Sequence, residues 1–187
     1  EDGVITVSRA ARTVVYPADF MLVASMNPCP CGYYGSTTHE CSCTPAQIAK
    51  YLARLSGPLM DRIDLHISVD NVTYDDLSSD TLAESSEAVR NRVNAARRIQ
   101  LERFADTGVY SNAKMNALMI REYCKLDDES EKLLRHAFEK LKLSARAYTR
   151  ILKVARTIAD LEGSRDIAAK HISEALTYRS MDRDYLI

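Results

Sequence analysis

FMLVASMNPCPCG (residues 20–32) and GPLMDRIDLHISVD (residues 57–70) decide how the rest of the chain is read. Residues 20–25 are a short, continuous apolar run, as expected of a strand buried on both faces of a parallel sheet. Asn27 follows that run directly. Side chains at the carboxyl end of such a strand project into the crevice where open α/β sheets bind ligands. An amide there can orient a water against a phosphate; taken alone, Asn27-Pro28 reads more readily as a turn. The second stretch presents Arg62 just before another expected strand, 65–69. A planar, permanently charged guanidinium suits phosphate and can stabilise phosphoryl-transfer charge. Its plainer alternative is a surface arginine paired with Asp61 or Asp64.

Between the two stretches lie Cys29, Cys31, Cys41 and Cys43, two CxC pairs with His39 between them. Four thiolates can close a tetrahedral zinc site, although a one-residue spacer is tighter than the usual two to four. Reduced, unliganded thiols and a disulfide are the other readings. A metal would explain how a loop containing Gly32, Tyr33, Tyr34 and Gly35 stays ordered. Thr44-Pro45 then starts a helix, with a capping hydroxyl and proline at the first helical position.

Upstream, residues 4–16 alternate and are β-prone on either side of Arg9-Ala10-Ala11-Arg12. This predicts a β-hairpin with two arginines near its tip. Arg9 and Arg12 suit a nucleic-acid backbone, and equally a solvated turn.

Downstream, residues 75–84 are polar and turn-rich and mark a boundary. Helical periodicity then holds to the end, predicting helices over 85–104, 113–124, 129–142, 145–161 and 168–178. Ser111 and Ser144 are candidate N-caps and Gly163 a candidate C-cap. In the fourth helix Tyr148, Ile151, Leu152, Ala155, Ile158 and Ala159 share a face, with Arg146, Arg150, Lys153 and Arg156 off it. Arg146 and Arg150 occupy first turns, where a cation meets the positive end of the helix and an anionic ligand would relieve it. Arg90, Arg92, Arg97, Arg98 and Arg103 read as a solvated helix face. Cys124 lies in an apolar stripe and reads as packing.

The chain has 187 residues and a net charge of −1, so no global attraction to nucleic acid or membrane is implied. No apolar run approaches the roughly 20 residues needed to span a bilayer. Five cysteines, an odd number, fit a reducing compartment, and a cytoplasmic location is expected.

The order of these units resembles the AAA+ ATPases of the magnesium-chelatase type, within them the ComM (YifB) group. VVYPADFMLVASMNPCPCGYYG (14–35), LSGPLMDRIDLHI (55–67) and LSARAYTRILKVARTIADLEG (143–163) carry the resemblance, which spans essentially the whole chain. It implies an α/β plus all-α architecture. The distal part of an AAA+ core, with parallel strands and a β-hairpin, occupies 1–75. A linker with its helix spans 76–110, and a helical lid bundle 111–187. It also implies residue roles. Asn27 matches the sensor-1 asparagine that positions the attacking water. Arg62 matches the arginine finger acting in trans on a neighbouring subunit. Arg146 matches the sensor-2 arginine, with Arg150 the second choice. The residue 4–16 hairpin matches the pre-sensor-1 hairpin, which makes Arg9 and Arg12 expected DNA contacts. The paired CxC loop belongs to the ComM group and not to true chelatase subunits.

No phosphate-cradling GxxxxGKS/T loop and no strand ending in an acidic pair for Mg²⁺ is found. Both are expected upstream of Glu1, so the fragment by itself is expected to be inactive. The implied full-length protein is an ATP- and Mg²⁺-dependent ring motor, hexameric, acting on DNA, with Zn²⁺ as a further possible ion and no membrane partner. A chelatase-type metal-insertion motor and a non-catalytic zinc-bearing adaptor are the rival readings.

Overall fold

The computed structural model describes residues 3–69 and 83–179, together with Val72, Tyr74 and Ser78. The boundary expected over 75–84 lies largely outside the described residues, as do positions 1–2 and 180–187 of the expected domains.

The chain opens with an antiparallel hairpin, β1 (Val4–Arg9) and β2 (Arg12–Pro17), whose register pairs Arg9 with Arg12 beside the two-residue tip. Ser8 and Thr13 hydroxyls bond across it at 3.1 Å, and Ala18 N donates to Gly3 O at 2.8 Å to close its base. The expected hairpin therefore forms. The parallel strands do not: residues 20–25 and 65–69 have no regular secondary structure, and among the described residues the sheet has two strands, β1 and β2. Met21 and Val23 stand 89% and 85% exposed, the opposite of the expected burial. A strand is made by a neighbouring strand, and among the described residues these segments pair with none.

α1 (Pro45–Leu52) starts where the Thr-Pro pair predicts it. Thr44 Oγ1 accepts from Gln47 N at 3.3 Å while Gln47 Oε1 accepts from Thr44 N at 2.8 Å, a reciprocal cap that satisfies two donors at the helix start. Ser56 follows α1. It caps the one-turn α2 (Gly57–Met60), accepting from Leu59 N.

The helical portion follows the periodicity closely: α3 (Ser86–Arg103), a single 3-10 turn (Asn112–Lys114), α4 (Ala117–Tyr123), α5 (Asp128–Leu141), α6 (Ala145–Glu162) and α7 (Ala169–Thr177). The helix expected over 113–124 is split, because Asn116 takes the cap and accepts from Met119 N at 3.0 Å; Ser111 makes no capping bond. α6 is the axis of the bundle. Ser144 caps it through Ala147 N at 3.1 Å, and Gly163 ends it at φ 74°, a left-handed conformation glycine adopts without strain. Ile151, Leu152, Ala155 and Ala159 are buried against Phe104, Ile120, Leu134, Ile167 and Ile172 from the surrounding segments. Each large apolar side chain so buried contributes roughly 1.5–3 kcal/mol. Cys124 lies in this core, its thiol pushed up to about 11 by burial, and is a packing residue.

Arg103, expected on a solvated helix face, and Arg156, expected off the apolar face of the fourth helix, both lie inward. Arg156 is 2% exposed, and Arg103 turns inward from the end of α3. Both converge on the buried Asp160, Arg103 through both terminal nitrogens and Arg156 through Nε at 3.1 Å. Asn112 Nδ2 donates to the same carboxylate at 2.8 Å. Buried charge of this kind persists only when paired and hydrogen-bonded, and the spacing alone did not reveal the pairing. Arg90, Arg92, Arg97 and Arg98 are exposed as expected.

Candidate functional site

The four paired cysteines come together. Their sulfurs lie within 4.8 Å of one another, with Cys29–Cys31, Cys31–Cys41 and Cys29–Cys41 at 3.3, 3.5 and 3.7 Å. Zn–S bonds of about 2.3 Å give a tetrahedron with edges of about 3.8 Å. A disulfide needs about 2.05 Å, so these are four free thiols at cation-sharing distance. The turn around Gly32, at φ 87°, lets Gly32 N reach Cys29 O at 3.0 Å and folds the first CxC pair back on itself. Tyr34 N donates to Cys29 Sγ at 3.3 Å. The Tyr33 backbone bond brings Cys31 down to about 5, whereas burial, then the neighbouring sulfurs, push Cys43 up to about 12. Four thiolates this close need a cation to ionise together, and an all-sulfur tetrahedral set suits zinc. His39 stands apart, stacked on Tyr33 with centroids 4.8 Å apart.

Asn27 is exposed and lies immediately before this turn. Its amide rests over Gly32: a Cβ built there would lie 3.8 Å from Asn27 Nδ2. The cysteine loop thus curls back onto the residue expected to face a ligand.

Arg62 follows α2 on an exposed turn, with Nη1 donating to Pro58 O at 2.8 Å. Neither neighbouring carboxylate pairs with it. Asp61 accepts from Arg179 at 3.4 Å, and Asp64 accepts from Arg150. The pairing that sequence alone favoured is therefore replaced by contacts reaching across from the helical portion. Arg179 is the residue sequence reasoning missed. It is 2% exposed and also donates to Ile63 O at 2.7 Å. An arginine just past the end of an apolar helix gives no hint that it will turn inward.

Arg146 is exposed at the start of α6, a helix with no acidic residue in its first turn. Arg150, one turn on, is mostly buried, its side chain 16% exposed and engaged by Asp64. At the hairpin tip Arg9 and Arg12 are exposed and directly opposite each other. Like charges so placed repel, and an anion between them would relieve the cost. Lys114 Nζ, 2.6 Å from Asp19 Oδ1, ties the hairpin base to the helical portion. No described helix is long and apolar enough to cross a membrane.

A deeply divided chain of this kind, with a hairpin, a cysteine loop and a separate helical bundle, matches one family along nearly its whole length. Residues 1–77 match the family model for magnesium chelatase, subunit ChlI, and residues 83–179 the model for its C-terminal region; the chain belongs to the magnesium-chelatase family. Within it, the chain is 46% identical over 184 residues to competence protein ComM of Haemophilus influenzae and 43% identical over 184 residues to YifB of Escherichia coli. It is 34% identical over 179 residues to Mb2921c of Mycobacterium bovis. These alignments cover 96–98% of the chain but 35% of each relative, so the chain spans about a third of the length of the curated relatives it matches.

Proposed function

We propose that this chain is the distal part of an AAA+ ring motor, in which it supplies groups that complete ATP hydrolysis. In this reading residues 1–75 end the ATPase core, 76–110 link, and 111–187 form the lid. Asn27 positions the attacking water as sensor 1. Arg62 reaches the nucleotide of the neighbouring subunit, and Arg146 meets the γ-phosphate as sensor 2. ATP and Mg²⁺ bind chiefly to the remainder of the full-length protein, whose strands would pair with 20–25 and 65–69 and cover their exposed side chains. The observation that carries the reading is the disposition of Arg62: an exposed guanidinium whose two adjacent carboxylates are taken by lid arginines. Such a group remains available to a partner's phosphate.

Arg146 fits the same scheme, because an anion at the α6 N-terminus would offset a cation that the helix otherwise disfavours. Zinc in the cysteine site would hold the turn against Asn27. The substrate proposed is DNA, supported by the paired tip arginines and by the competence name of the Haemophilus relative. A hexamer is the proposed assembly. The family's own name keeps metal insertion as a second reading, and DNA-stimulated hydrolysis separates the two. Hydrolysis by assembled full-length Arg62→Ala protein tests the central claim: loss with nucleotide binding retained supports it, and retained hydrolysis removes Arg62 from the mechanism.

A further inference from the structure

The segment that carries Arg62 has no sheet or long helix of its own to hold it. α2 is one turn, and residues 65–69 lack a strand partner among the described residues. What holds it comes from the far end of the chain. Arg179 Nη1 donates to Ile63 O at 2.7 Å and Nη2 to Asp61 Oδ1 at 3.4 Å, so one guanidinium grips the residues on both sides of Arg62. His66 N donates to Tyr178 O at 2.8 Å and extends the attachment by one more bond. The Arg179 side chain is 1% exposed, so these bonds are shielded from competing water. Arg150, from the second turn of α6, takes Asp64 on the other flank.

We infer that Arg179 is a positioning residue that sets where Arg62 stands and makes that position depend on the orientation of the helical portion. The inference rests on the proposed trans-acting role of Arg62. A planar fork suits the task, since its separate nitrogens hold a carbonyl and a carboxylate in a fixed geometry, whereas an ammonium is a single point charge on a flexible stem. A lid that reorients around its own nucleotide would carry the 61–66 segment with it. Hydrolysis in one subunit would thereby be linked to the nucleotide state of the next. Nothing in this requires Arg179 to touch nucleotide.

The test uses the full-length, assembled protein and two readouts. The first is amide exchange at Arg62, Ile63 and His66, whose N–H groups bond Leu59 O, Met60 O and Tyr178 O. The second is the separation of kcat from KM for ATP. Because Arg179 is buried, Arg179→Ala is accompanied by Asp61→Ala, whose carboxylate is 32% exposed and lies outside the core. Both variants are expected to speed exchange at 61–66 with the ring intact. Both are expected to lower kcat with KM within about twofold, Arg179→Ala by up to about a hundredfold, the scale of a misplaced catalytic group. Arg179→Lys is expected to recover part of the rate. Unchanged exchange overturns the clamp whatever the rates show. Unchanged kcat, in rings whose Arg62→Ala counterpart is inactive, overturns the positioning role. If Arg62→Ala rings hydrolyse normally, the trans-acting role itself falls, and the catalytic half of this inference with it, while the exchange result still decides whether Arg179 holds the segment.

Discussion

Arg150 donates to Asp64 across 86 positions of sequence, joining the second turn of the bundle's central helix to the residue two places beyond Arg62. This contact reassigns two side chains at once. Asp64 faces Arg150 and not Arg62, and Arg150 is engaged as a fastener between the two segments. The pair is part-exposed, so its energetic contribution is small at physiological salt. Its value lies in orientation.

Arg62→Ala in the assembled full-length protein is expected to reduce ATP turnover by about 10³-fold or more, the scale of an arginine finger. Nucleotide affinity should be nearly unchanged. Mixing the variant with wild-type subunits should depress turnover in proportion to the junctions that lack the guanidinium. A loss confined to nucleotide affinity would place Arg62 in its own subunit's binding site instead.

The cysteine centre is expected to hold one zinc per chain, measured by elemental analysis of the purified protein. Binding requires thiolates, so affinity falls as pH falls and loading releases protons. Cys41→Ser should weaken binding. A chelator should disorder the loop around residues 28–43 while far-ultraviolet circular dichroism of the α3–α7 bundle is retained. Loss of the bundle on chelation would mean that the loop stabilises the whole chain.

Replacing Arg9 and Arg12 together by alanine should lower the slope of log affinity against log salt for DNA by about 1.4 to 1.8, since each phosphate contact contributes about 0.7 on single strands and about 0.9 on duplex. ATP turnover without DNA should be unaffected. A slope equal to wild type would show that the tip does not meet the backbone.

Asp160→Ala leaves two inward-facing guanidinium groups without their shared carboxylate. Breaking a buried pair from one side costs about 3–5 kcal/mol, so the urea midpoint should fall sharply. Exposed Arg98→Ala, on the outer face of α3, should shift it very little.

Glu162 accepts from Lys170 and His171, and these bonds, Lys170 first, hold its carboxyl below its ordinary 4.5. A lowered folded value means the contribution is fully present above about pH 4.5 and is lost as pH falls through the lower folded value. Glu162→Gln should therefore flatten this part of the acid limb of a stability–pH curve. An acid limb identical to wild type would show that the contact adds nothing to stability.

Local chemistry in the sequence determined the hairpin, the Thr44 and Ser144 caps, the Gly163 stop and the apolar face of α6, because each depends on neighbours a few residues away. The matching phrases likewise carried the family. The sequence also supplied four thiols suited to a metal, though not their meeting point. Tertiary structure decided what depends on distant partners. Among the described residues, 20–25 and 65–69 join no sheet, because strands require a neighbouring strand that periodicity cannot provide. Arg103, Arg156 and Arg179 turn inward because carboxylates or carbonyls await them, at Asp160 and around Arg62. A charged side chain's place is set by what can neutralise it, and for these arginines most of those partners lie on other segments that only folding brings within reach.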